Sequence, residues 1–133
     1  MITGIAHVCY LVRDLDASIA FYAGKLGLTP AFDFRNDAGE RTGVYLHAGG
    51  RNFIELFSGV PEAPGDAQSY QHLCLEVDDM KGTLAALRTQ GVEATEMALG
   101  GDGAWQAWIT DPDGNRIELH QYTDASLQNT CLS

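Results

Sequence analysis

The chain carries the same pattern twice, and that duplication constrains its fold more than any other feature. His7 opens the apolar stretch His7-Val8-Cys9-Tyr10-Leu11-Val12, followed by Asp14 and Leu15. His72 opens His72-Leu73-Cys74-Leu75-Glu76-Val77, followed by Asp79 and Met80. Each half later contains Asn-x-Ile-Glu-Leu, first at Asn52–Leu56 and again at Asn115–Leu119. The histidines stand 65 positions apart (7 to 72) and the glutamates 63 (55 to 118). Repeated apolar strands are what any duplicated core requires. A His and a Glu repeated at matching strand positions point to a site that both halves serve. Two imidazoles and two carboxylates suit a divalent cation of the Zn, Ni, Co, Mn or Fe(II) kind and do not choose among them.

The spacing of apolar residues predicts two βαβββ modules. A strand over 2–12 turns His7 and Cys9 to one face and Val8, Tyr10 and Val12 to the other. Asp14 or Asp16 caps a helix with Leu15, Ile19, Tyr22 and Leu26 at helical spacing, and Gly27 ends it. Strands follow near 28–36, 41–48 and 52–58. The order repeats with a strand over 70–78, a helix near 79–90 and strands near 92–97, 104–110 and 115–121. The last two are joined by the turn Asp111-Pro112-Asp113-Gly114.

Alternation places His7, Glu55, His72 and Glu118 on the sheet faces turned away from the helices, with Cys9 and Cys74 beside the histidines as small pocket-lining residues. His47 and His120 read as surface or pocket-wall residues. Trp105, Trp108, Phe53 and Phe57 are candidates for an apolar wall, and Arg13, Arg51 and Arg116 for solvated cations.

The expected architecture is α+β: two paired βαβββ modules forming a cupped, partly open mixed sheet with helices on its outer face. At 133 residues and 45% hydrophobic, the chain fits one domain. Module one covers about 1–60, a proline-bearing linker about 59–68, module two about 69–122, and a tail 123–133 that frays. Eight basic against eighteen acidic residues give a net charge of −10, which excludes a phosphate backbone as the main partner. No apolar run approaches a membrane span, and no secretory leader is evident. Three cysteines without a paired framework fit a reducing compartment, so the expected location is the cytoplasm.

Taken together, Gly4–Val8, Phe21-Tyr22 with Leu26-Gly27, Phe53–Leu56, His72–Asp78 and Asp111–Leu119 resemble the vicinal-oxygen-chelate superfamily of glyoxalases, bleomycin resistance proteins and extradiol dioxygenases. Within it the chain is most similar to glyoxalase I (lactoylglutathione lyase)-like members. The resemblance implies one divalent metal held by His7, Glu55, His72 and Glu118. It also implies isomerisation of a hemithioacetal or related α-hydroxycarbonyl substrate through a metal-bound enediolate. In that analogy Glu118 is the base and Glu55 lies opposite it, the substrate is a small molecule of the glutathione-adduct type, and the protein is a homodimer. Two other activities of the superfamily are an Fe(II) ring-cleaving dioxygenase and a non-catalytic binder of small molecules such as antibiotics. The loops differ from glyoxalase I: Glu55 is followed by Leu56-Phe57-Ser58-Gly59 without the usual Asn, and residues 99–103 are acidic where that enzyme carries lysine.

Overall fold

The computed structural model describes Met1, residues 4–60 and residues 70–132. The chain divides into two compact units, Met1–Gln68 and Ser69–Ser133. Most of the expected linker, residues 61–69, lies outside the described residues. The first unit runs β1 (His7–Val12), α1 (Leu15–Ile19), a π-helical turn (Ala20–Lys25), β2 (Thr29–Arg35), β3 (Arg41–His47) and β4 (Phe53–Ser58). In the second unit β5 (Leu73–Glu76), α2 (Met80–Thr89), β6 (Ala98–Leu99), β7 (Trp105–Thr110), β8 (Arg116–Gln121) and α3 (Leu127–Cys131) follow in turn.

Each unit builds one open four-stranded mixed sheet, ordered β1-β4-β3-β2 in the first and β5-β8-β7-β6 in the second. In both, the first strand lies parallel to the last and the other pairs are antiparallel. A parallel pair cannot be closed by a tight turn, so the intervening helix and hairpin supply the crossover. The class is α+β, with the module order expected from the sequence.

Period-two burial separates the faces. Tyr10, Val12, Val44, Leu46, Ile54 and Leu56 are buried on the helix side of the first sheet, and Ala107, Ile109, Ile117 and Leu119 on that of the second. Both helices start the same way. Asp14 Oδ1 accepts from Ala17 N at 2.9 Å and Asp79 Oδ1 from Gly82 N at 3.1 Å, each satisfying a backbone donor that the helix leaves unpaired. Asp16 does not cap; it pairs with Arg41 instead.

Several elements differ from the sequence expectation. The first helix widens after Ile19, where Leu26 N bonds Phe21 O at 2.9 Å, five residues back. Within this wider turn the adjacent residues Phe21 and Tyr22 are both buried. No strand forms over 92–97, because Thr95 Oγ1 takes Trp108 N at 2.9 Å in place of a backbone carbonyl; β6 is only Ala98–Leu99. β1 begins at His7 and β5 at Leu73, so both are shorter than expected.

The chain after β8 is held rather than loose. Thr123 Oγ1 and Ser126 Oγ both donate to Gly103 O, and Gln128 Nε2 donates to Asp102 Oδ2 at 2.7 Å. Among the described residues no helix is long and apolar enough to cross a membrane.

Candidate functional site

Within the first unit, the parallel register sets His7 beside Phe53 and Cys9 beside Glu55. Across the next ladder Tyr45 faces Glu55. His7, Cys9, Glu55 and Tyr45 therefore share the face opposite the helix, where one strand's pleat presents every second residue. Tyr45 Oη lies 2.8 Å from His7 Nδ1, with the two rings edge to face at 5.6 Å. When Nδ1–H donates to the phenol oxygen, Nε2 carries the lone pair and is presented to a ligand. The Cys9 thiol is pushed up from its ordinary value, first by burial and then by its hydrogen bond to the Glu55 carboxylate. It stays protonated and donates.

The second unit repeats this arrangement and tightens it. His72, just ahead of β5, places Nε2 2.9 Å from Glu118 Oε2. His120 places Nε2 2.9 Å from the opposite oxygen, Oε1. Cys74 pairs with Glu118 in register, and its thiol also bonds that carboxylate. Burial above all, with the negative charges of Glu118 and Asp102, pushes Cys74 up to about 12. Three side chains thus converge on one buried carboxylate and satisfy its oxygens. Donor atoms of Cys74, Glu118 and His120 lie within 4.8 Å of one another.

Each histidine leans on an aromatic ring at the same register position. Tyr45 and Trp108 face Glu55 and Glu118 respectively, and the Trp108 ring meets His72 edge to face at 4.8 Å. Arg116 lies over the other side of Trp108, 4.2 Å from the ring centroid, a cation–π contact. Sequence comparison of the halves hides this match, because the two aromatics differ in identity.

His120 was read from the sequence as a pocket-wall residue; the structure makes it a direct partner of Glu118. Alternation did put it on the correct face. The first half has no counterpart to it, since Phe57 stands at the matching place. His47 bonds Gly50 O at 2.9 Å and closes its own turn. The tight turn before β8 is set by Asp111, whose Oδ1 accepts from Asp113 N and Asn115 N at 2.9 and 2.8 Å. Gly114 there has φ 86°, so the chain enters β8 in the register that delivers Glu118.

The donor chemistry fits a divalent cation. Two ligand atoms about 2.1 Å from an ion and at right angles stand about 3 Å apart. His72 Nε2 and Glu118 Oε2, 2.9 Å apart, already hold that spacing. Each unit supplies one imidazole and one carboxylate on its open face.

Residues 4–119 match the family described as the glyoxalase/bleomycin resistance protein/dioxygenase superfamily. The chain belongs to this superfamily. The lactoylglutathione lyase of Haemophilus influenzae is 30% identical over 133 residues, covering 94% of this chain and 98% of that one. The lactoylglutathione lyase of Salmonella typhimurium is 29% identical, covering 91% and 94%. Among solved structures, an antibiotic binding protein from a Streptomyces species is 26% identical with a TM-score of 0.75, covering 92% of this chain and 98% of that one.

Proposed function

We propose that the chain is a metal-dependent isomerase of the glyoxalase I type, acting on a hemithioacetal or related α-hydroxycarbonyl compound. The observation that carries this reading is Glu118, a buried carboxylate held by His120 and Cys74, with the His72 imidazole at ligand spacing. His7, Glu55, His72 and Glu118 would hold one divalent ion. When bound, that ion polarises the substrate's carbonyl and lowers the pKa of the neighbouring C–H. Relatives named lactoylglutathione lyase at about 30% identity support the same reaction class.

The protein's own part is proton transfer. Glu118 takes the proton from the carbon bearing hydroxyl and sulfur, and the electron pair forms a double bond to the adjacent carbonyl carbon, moving the charge onto its oxygen. Glu118 then returns the proton to that adjacent carbon, while the hydroxyl proton passes to the neighbouring oxygen. The product is a 2-hydroxy thioester, isomeric with the substrate, and no co-reactant is consumed. His120 holds Glu118 Oε1 throughout, so the carboxylate can move at Oε2 without leaving its place. Tyr45 fixes the His7 ring in the first unit. We place the active protein in the cytoplasm as a homodimer, in keeping with three free cysteines and with the superfamily resemblance.

The test is metal analysis of the purified protein, followed by hemithioacetal isomerisation after reconstitution with Ni, Co, Zn, Mn or Fe(II). Glu118→Gln is expected to lose about 10²–10⁴-fold in kcat. A fully metal-loaded protein that turns over no hemithioacetal refutes the reading. The antibiotic-binding relative favours simple capture of a small molecule as a second reading. It leaves the three side chains on Glu118 without a task.

A further inference from the structure

The open face of the first unit carries an aromatic surface that proton transfer does not require. Phe32, Phe34, Tyr45, Phe53 and Phe57 share that face across β2, β3 and β4 by register. Phe32 stacks on Tyr45 with centroids 4.8 Å apart and planes 20° apart. Tyr45 meets Phe53 at 4.9 Å, and Phe34 meets Phe57 at 4.9 Å. Phe57 needs glycine beneath it: a Cβ at Gly43 would stand 2.5 Å from its Cδ1, so the ring lies over bare backbone. The rings of the apolar core, Tyr10, Phe21 and Tyr22, are buried elsewhere, whereas Phe32 is 52% exposed.

Charge on this face is sparse. Among the described residues its strand positions hold Glu55, two imidazoles and one thiol, and the arginines at the far end of the sheet are engaged by aspartates, Arg35 by Asp33 and Arg41 by Asp16. A recess of about 290 Å³ opens at the His7 end, bounded by Gly4, Ile5, Ala6, Tyr45, Arg51 and Phe53. That size is near the small end of ligand pockets, and its lining joins two aromatic walls to a single cation. Glutathione carries two carboxylates that call for paired cations, and the recess has Arg51 alone.

We infer that this recess takes a planar aromatic group carried by the substrate, seated against Tyr45 and Phe53 with its carbonyl toward His7 and Glu55. The substrate class is then an aryl α-hydroxycarbonyl compound or its thiol adduct, which builds on the isomerase reading and narrows it. The Tyr45 hydroxyl, already bonded to His7 Nδ1, joins the aromatic wall to the proposed reacting end.

Binding is measured by titrating the purified protein with 2-acetylnaphthalene, with octan-2-one as a ketone without a ring, and with S-methylglutathione. The aryl ketone is expected to bind about tenfold or more tighter than octan-2-one, since each added ring contact contributes about two- to tenfold beyond its area. Phe53→Leu and Tyr45→Leu, which keep apolar bulk and lose the ring, should each reduce that preference. Equal affinity for the two ketones overturns the inference, as does a preference left intact in both variants or tighter binding of S-methylglutathione. Turnover of phenylglyoxal and methylglyoxal hemithioacetals, compared as kcat/KM, separates the two claims. Aryl binding without turnover of either adduct sustains this inference and refutes the isomerase; turnover with no aryl preference does the reverse.

Discussion

Removing the His120 hydrogen bond is the sharpest perturbation of the site, because both partners are buried. His120 and Glu118 side chains are 10% and 11% exposed, and the bond is 2.9 Å long. Solvent therefore does little to replace it. A hydrogen bond to a charged group contributes about 1.5–3 kcal/mol, equivalent to about 10- to 150-fold in an equilibrium constant. His120→Leu should lower metal affinity by about that factor, in line with the 10- to 100-fold effects of residues that orient metal ligands. His120→Gln, whose amide nitrogen can take the place of Nε2, should recover most of the loss. The assay is competition for Co(II) against a chelator, read with the Co(II) absorption spectrum to report the ligand field. A structural role alone would alter stability and leave the spectrum of the loaded ion unchanged. Unchanged affinity in the Leu variant, or an equal loss in the Gln variant, refutes the reasoning.

Other outcomes follow from the same geometry. In metal-free protein at pH 8, Cys74 should react with iodoacetamide on the order of a thousandfold more slowly than an ordinary cysteine, because a thiol pushed up to about 12 is almost wholly protonated there. Peptide mapping of the alkylated protein checks this, and rapid labelling of Cys74 counts against the crowded carboxylate. Asp102 is held below the usual carboxylate range, first by the Gln128 amide, then by Ala104 N–H and further by His120. A depressed folded pKa gives stability that is present above the unfolded value near pH 4 and is lost as pH falls through the folded one. Asp102→Asn should accordingly flatten the acid limb of thermal stability below about pH 4, measured by calorimetry. Gly43→Ala should cost about 1–3 kcal/mol, since its Cβ would meet Phe57 Cδ1 at 2.5 Å and Leu56 O at 2.8 Å; a urea titration reads the loss.

Period-two alternation made the faces of both sheets legible before any coordinates, and with them the side on which His7, Glu55, His72 and Glu118 lie. The first helix cap was narrowed to Asp14 or Asp16, and the structure selects Asp14, with Asp79 at the matching place of the second unit. What stayed hidden depends on tertiary packing. The π-helical turn over Ala20–Lys25 is one such feature, since apolar spacing does not distinguish it from an ordinary helical turn. The missing strand over 92–97 turns on one threonine hydroxyl competing for a backbone donor. His120 escaped because the residue two after a glutamate is remarkable only when a strand folds both onto one buried patch. The equivalence of Tyr45 and Trp108 stayed hidden because the two side chains differ in identity.

The central proposal is that His7, Glu55, His72 and Glu118 hold one divalent ion. Metal stoichiometry in the wild type and in His7→Ala, Glu55→Gln, His72→Ala and Glu118→Gln tests it most directly. The account predicts one equivalent per chain in the wild type and markedly weaker binding in all four variants, including those in the unit remote in sequence. A folded wild type that takes up no metal contradicts it. So do two equivalents per chain, or variants of one unit that leave the affinity untouched.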